Sequence, residues 1–186
     1  MNKFSVQKPK KLYFTYPNTV TVICTKYKDN IYVMPAVWQV PLSHSPMILG
    51  VLISPKRNTF NMVKMSKNFT LNYFSYNYAS FVAALGSCSG KEINKVEKFN
   101  IKLSESSIID SPILQDASVS IECDKVKNMK YGDHYLFYGE AKNFWYNKRD
   151  FKDNIVNMSN FKPLLYLGNM TFTTVNSQKI QICKKK

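Results

Sequence analysis

Apolar and polar residues alternate along much of this chain, and the alternation has a period of two far more often than of three to four. Residues 19–25, TVTVICT, put Val20, Val22 and Cys24 on one face and Thr19, Thr21, Ile23 and Thr25 on the other, which predicts a half-buried strand. A Tyr27-Lys28-Asp29-Asn30 turn leads to a second strand at 31–37, so the two form a hairpin. Residues 38–46 carry Pro41 and Pro46 and read as an irregular connection. Residues 47–53, MILGVLI, are almost continuously apolar, as in a strand buried on both faces. Alternation returns at 68–74, with Phe69, Leu71 and Tyr73 inward, at 117–126 and at 134–144. The last two are separated by a Tyr131-Gly132-Asp133 turn.

Helical spacing is scarcer. Residues 60–67 form a short helix with Phe60 and Val63 facing in and Asn58 or Thr59 as its N-cap. Tyr78, Phe81, Val82 and Leu85 recur at i, i+3, i+4 and i+7, one apolar stripe. A small-residue loop at 86–90 ends that helix, and 91–99 reads as a short basic helix. Residues 100–116 are Ser-rich turns, 147–160 a polar loop, 161–168 an apolar docking segment, and the tail is strand-like or frayed. Strands dominate and their connections suit antiparallel neighbours. The pattern predicts a mainly β chain with some α, built as a closed Greek-key barrel with helices over its ends.

The length, 186 residues, suits a single domain. No apolar run approaches a membrane span, and the N-terminus has no apolar stretch behind its charges, so a cytoplasmic protein without membrane attachment is expected. Lys and Arg number 26 against 12 Asp and Glu, a net charge of +14. The lysines are spread out, with short clusters only at 8–11 and 184–186, which argues against a nucleic-acid binder. The same positive field would serve an anionic cofactor or nucleotide. Cys24, Cys88, Cys123 and Cys183 form no CxxC, and His44 and His134 lie far apart, so no metal site is expected.

The candidate chemistry gathers at a few places. After the apolar strand come Ser54, Lys56, Arg57 and Thr59 at a helix start, where backbone N–H groups and cations suit a phosphate. An ordinary capped helix with solvated cations accounts for the same residues. Ala36, Val37, Trp38 and Gln39 leave a strand with irregular backbone that can read a heterocycle's edge, or simply seat a rim tryptophan. Gly86, Ser87, Cys88 and Ser89 allow close backbone approach to a ligand, or cap a helix. Lys95 adds charge nearby, and His134 opens a strand where it can orient a substrate. There is no GxGxxG and no P-loop.

In order, PAVWQVPLSHSPMILGVLISPKRNT, AALGSCSGKEINK, GDHYLFYGE and PLLYLG resemble the motifs of the flavin reductase-like, FMN-binding split-barrel family. The likeness spans about residues 16–168, leaving 169–186 as a tail. Two positions depart from the family pattern: Val96 stands where Phe is usual, and Asn100 takes a Gly place whose left-handed turn Asn tolerates. The resemblance implies a Greek-key split β-barrel and one non-covalent FMN per subunit of a homodimer. It implies that Ser54, Lys56, Arg57 and Thr59 hold the phosphate. Ala36 to Gln39 and Gly86 to Ser89 would hold the ribityl chain and ring edge, flanked by Lys95 and His134. The implied activity is an NAD(P)H-dependent flavin or ferric reductase, with NADH or NADPH as co-substrate and a small acceptor or redox protein as electron partner. The alternative is a flavoredoxin-like electron-transfer flavoprotein with no NAD(P)H site of its own.

Overall fold

The computed structural model describes residues 4, 5, 7, 13–153 and 155–176. The lysine clusters at 8–11 and 184–186 and Cys183 lie outside the described residues. Seven strands form the main sheet: β1 (Thr21–Tyr27), β2 (Asn30–Ala36), β3 (Gln39–His44), β4 (Met47–Ile53), β5 (Asn68–Tyr73), β6 (Val119–Tyr131) and β7 (His134–Tyr146). Their order is β2-β1-β5-β6-β7-β4-β3, with every pairing antiparallel. The two edge strands, β2 and β3, are consecutive in the chain and separated only by Val37 and Trp38. Three Cα–Cα steps span at most about 11 Å, so the sheet must curl until its edges nearly meet. No ladder joins β2 to β3, and the barrel is therefore split rather than closed.

The expected irregular connection at 38–46 contains strand β3. Its one proline, Pro41, is tolerated because it is an edge strand, where one row of N–H groups has no ladder partner. The N-terminal lead-in includes Asn18–Thr19, which pairs with Leu165–Gly168, and that segment pairs with Thr171–Thr173. The start of the tail is thus a strand in a small second sheet.

Helix α1 (Asn58–Met65) plugs one end of the barrel. Its Phe60 and Val63 join Ile23, Val51, Ile53, Phe69, Leu71 and Phe137 in the interior core. Helix α2 (Ala79–Ser87) lies outside the barrel, where Val82 and Leu85 meet Val22, Cys24, Phe74, Leu114 and Leu164 in a second core. The expected helix over 91–99 shrinks to α3 (Lys95–Lys98), capped by the Asn94 side chain accepting from the Val96 and Glu97 N–H groups. Asn100 takes the left-handed turn expected of it, at φ +47°. The Cys24 and Cys123 thiols are buried, and desolvation pushes each up to about 12, helped at Cys123 by the Asp124 and Glu122 carboxylates.

The half-buried strand expected at 19–25 is buried on both faces from Thr21 to Thr25. The polar face of β5 is likewise covered. Asn72 Nδ2 donates to Val22 O at 3.0 Å and to Thr70 Oγ1 at 3.0 Å, while Asn72 Oδ1 accepts from Leu114 N at 3.0 Å and Ser120 Oγ at 2.7 Å. Ser111 donates to Asn68 Oδ1 from both its N and its Oγ, and Thr70 Oγ1 donates to Pro112 O. Glu122, fully buried on β6, accepts from Ser107 N, Ile108 N, Asn143 Nδ2 and Trp145 Nε1. Polar side chains of β5 and β6 thus hold the segment 106–114 across the back of the sheet, with Asn143 and Trp145 of β7 bracing Glu122, and buried polar groups find their partners there.

Candidate functional site

A cavity of about 780 Å³ opens at the seam where β2 gives way to β3. That is within the range of small-molecule and cofactor sites, roughly 300–1,000 Å³. One end is built by the turn after β4 and the start of α1. Arg57 occupies the N-cap position with extended backbone, φ −85° and ψ 135°, in place of the expected Asn58 or Thr59. Its side chain carries no acceptor, and no side chain caps the helix. The first turn therefore keeps its unmatched positive pole beside two exposed cations, Lys56 and Arg57. Ser54 holds the preceding turn, accepting from Arg57 N at 3.0 Å through its carbonyl.

The loop after α2 closes over this end. A Cβ on Gly90 would lie 3.0 Å from Asn58 Nδ2, so the loop approaches α1 as closely as it does because that residue has no side chain. Cys88 donates its thiol to Ala84 O, and Ser87 Oγ bonds to Ala83 O, the usual back-bonding of small polar residues in a last helical turn. Lys95 is buried and donates to Leu85 O at 2.6 Å. Burial holds its ammonium below the ordinary lysine range; Cys88 opposes that shift and the Arg57 guanidinium adds to it.

The other end is apolar and aromatic. Trp38 donates from Nε1 to the Tyr16 hydroxyl at 2.9 Å, and its carbonyl accepts from Leu52 N. The His134 ring packs against Trp38 with centroids 4.7 Å apart. His134 Nδ1 lies 2.7 Å from Asp133 Oδ1. That hydrogen bond, with the attraction of the imidazole, holds the exposed Asp133 carboxyl below its ordinary value. An ionised Asp133 can only accept, so Nδ1 carries the proton and Nε2 is the acceptor of the neutral ring.

Of the candidate residues, Ala36, Val37, Trp38, Ser54, Lys56, Arg57, Thr59, Gly86, Ser87, Cys88, Ser89, Lys95 and His134 all line this one cavity. Gln39 is not among its lining residues; its side chain instead donates to Thr19 Oγ1 at 2.6 Å and accepts from the Tyr73 hydroxyl at 2.8 Å, pinning the seam. Sequence reasoning missed Met34, Leu52, Tyr166, Met170 and Phe172, which wall the apolar end. Tyr166 and Phe172 come from the small sheet and Met170 from the turn between its strands, and the apolar 161–168 segment signalled only Tyr166.

The flavin reductase like domain matches residues 13–174. The chain belongs to that family. An uncharacterized protein of Archaeoglobus fulgidus is 33% identical over 172 residues, 91% of this chain and 95% of that one. An uncharacterized protein of Aeropyrum pernix is 29% identical over 154 residues, but the chain spans only 58% of its length. Among solved structures, an FMN-binding protein of Thermus thermophilus with bound 1-cyclohex-2-enone superposes with a TM-score of 0.85 at 26% identity, covering 98% of this chain and 100% of that one. A flavoredoxin of Methanosarcina acetivorans shares the fold, with a TM-score of 0.86 at 18% identity, covering 99% and 97%. The seam cavity is where the flavin reductase like fold of this chain brings its cations, a helix N-terminus and its aromatic rim together.

The residues present fit a flavin mononucleotide. An uncapped helix start with Lys56 and Arg57 suits its phosphate, the loop expected at 86–90 begins only at Cys88, after α2 has run through Ser87, and brings backbone to the cavity for its sugar chain, and the apolar wall suits a flat ring.

Proposed function

We propose that this chain binds FMN without a covalent bond and works as an NAD(P)H-dependent flavin or ferric reductase. The observation that carries the reading is the single cavity joining the uncapped, cationic start of α1 to the Trp38–His134 rim. FMN, when bound, supplies hydride and single-electron transfer. Lys56, Arg57, Ser54 and Thr59 hold the phosphate with charge-assisted bonds and α1 N–H groups. The backbone of Ala36 to Trp38 and of Gly86 to Ser89 reads the ring edge and ribityl chain. Lys95 adds positive charge that favours an anionic reduced cofactor. Trp38 and His134 seat and orient the nicotinamide of NADH or NADPH.

The electron acceptor on this reading is a small molecule or a redox protein. The enone bound by the Thermus protein supports a small-molecule acceptor. A homodimer is also proposed. Val40, Leu42, Met129 and Tyr131 are exposed on the outer face of the sheet, next to Trp38, Leu52 and His134 at the cavity mouth. No helix among the described residues is long and apolar enough to cross a membrane.

The test is anaerobic reduction of the purified, FMN-loaded protein. Rapid bleaching of the oxidised flavin band by NADH or NADPH is expected. A yellow protein that neither nucleotide bleaches is an electron-transfer flavoprotein served by a partner, and a protein that takes up no FMN ends the reading.

A further inference from the structure

Helix α1 turns its uncapped start to the cavity and its last turn away from it. At the other end, Lys125 of β6 reaches across to the last turn. Its Nζ donates to Val63 O at 3.0 Å, to Lys64 O at 2.5 Å and to Ser66 O. An ammonium has three N–H donors and no acceptor, and here each donor has a carbonyl. These are the groups a helix C-terminus leaves unmatched, and a cation there also opposes the negative pole. The backbone joins in, because Lys125 N donates to Lys67 O at 2.9 Å.

The strand is shaped for this reach. Lys125 continues the inward row of Ile121 and Cys123, and the register breaks just beyond it, where Tyr138 faces Lys127 but Gly139 faces Lys125. Val126 is the extra residue of that bulge. After it, the side-chain alternation reverses, so Lys127 points the other way, over the Tyr138 ring. Lys125 is the last inward side chain of β6 before that reversal.

We propose that Lys125 is a positioning residue for the anion end of the cavity. It locks the C-terminal turn of α1, and the helix transmits that constraint to Arg57, Asn58 and Thr59, roughly 12 Å away at 1.5 Å per residue over eight residues. Lys125 thereby sets how well the chain distinguishes a phosphorylated flavin from an unphosphorylated one, without touching either. This rests on the reading that the cavity holds FMN by its phosphate.

The experiment compares FMN with riboflavin, which shares the ring and sugar chain but lacks the phosphate. Affinities are measured by flavin fluorescence quenching for the wild type, Lys125→Met and Lys125→Arg. Lys125→Met keeps most of the apolar stem and removes all three donors. It should lower FMN affinity about five- to tenfold and leave riboflavin affinity within twofold, while Lys125→Arg should recover most of the preference. A folded Lys125→Met that keeps the full wild-type preference overturns the proposal. A wild type with no preference for FMN overturns the phosphate reading instead. Hydrogen exchange on the wild type gives a second route if the Met variant does not fold. FMN should slow exchange in the 63–66 turn more than riboflavin does, and equal protection by both overturns the proposal.

Discussion

Arg57 and Glu122 show how single residues divide the work of binding and folding. Arg57 sits at the cap of α1 with an exposed guanidinium at the cavity mouth. Arg57→Ala should weaken FMN binding by about 1.5–3 kcal/mol, the worth of a charge-assisted hydrogen bond, and riboflavin binding far less. Equal losses for the two ligands would remove Arg57 from the phosphate. Glu122 is buried, which by itself raises a carboxyl's pKa, yet its bonds from Trp145, Ser107, Asn143 and Ile108 win and hold it below the ordinary 4.5. A carboxyl depressed on folding stabilises the fold above its unfolded value, and that contribution is lost as pH falls through the folded one. In Glu122→Gln an amide nitrogen placed at Oε2 would confront the Ile108 N–H that Oε2 now accepts. The substitution should cost about 1–3 kcal/mol at neutral pH. Urea titrations should show that gap narrowing as the medium is made more acidic than the ordinary carboxyl value.

At the scale of elements, the close packing of strands against the core is most exposed at Gly139. A Cβ there would lie 2.6 Å from Phe69 Cζ and 2.8 Å from Cys123 Cβ, both on fully buried residues. Gly139→Ala should therefore destabilise by about 1–3 kcal/mol, read as a lower urea midpoint with an unchanged slope. Most elements were legible from side-chain pattern, as with the Phe81/Val82/Leu85 stripe, but MILGVLI, expected to be buried on both faces, leaves Met47 exposed and Ile48, Leu49 and Leu52 half-buried because the outer face of β4 is only partly covered. The failures have physical causes. Strand β3 was hidden by Pro41, which an edge tolerates. The threonines of β1 and the Asn and Ser of β5 and β6 read as solvent-facing, whereas hydrogen bonds let them be buried. Thirteen of the fourteen candidate site residues meet in one cavity because the motifs sit at strand and helix ends, where the seam gathers them. Met170 and Phe172 escaped notice because their place depends on a small sheet formed with Asn18–Thr19, a pairing between the two ends of the chain.

For the whole molecule, the exposed outer face around Val40 and Leu42 gives the dimer proposal its handle. Light scattering should report a dimer for the wild type at low micromolar concentration and a folded monomer for Leu42→Glu; a wild-type monomer ends the proposal. A different consequence follows from the segment 106–114, which β5 and β6 hold through side chains and β1 through the Lys26 N–H. Its anchors, Asn68 and Asn72 on β5 and Glu122 on β6, which Asn143 of β7 braces, converge only after those strands have paired. The chain must thus finish its sheet before this strap can close, and the strap belongs to the late, downhill side of the folding barrier. Ser111→Ala removes the acceptor of Lys26 N and the donor to Asn68, enough to lower stability by about 1–3 kcal/mol. In stopped-flow refolding that loss should fall almost wholly on the unfolding rate, a φ-value near zero. The strap would then tune how long the native protein survives between unfolding events while leaving the speed of its formation untouched.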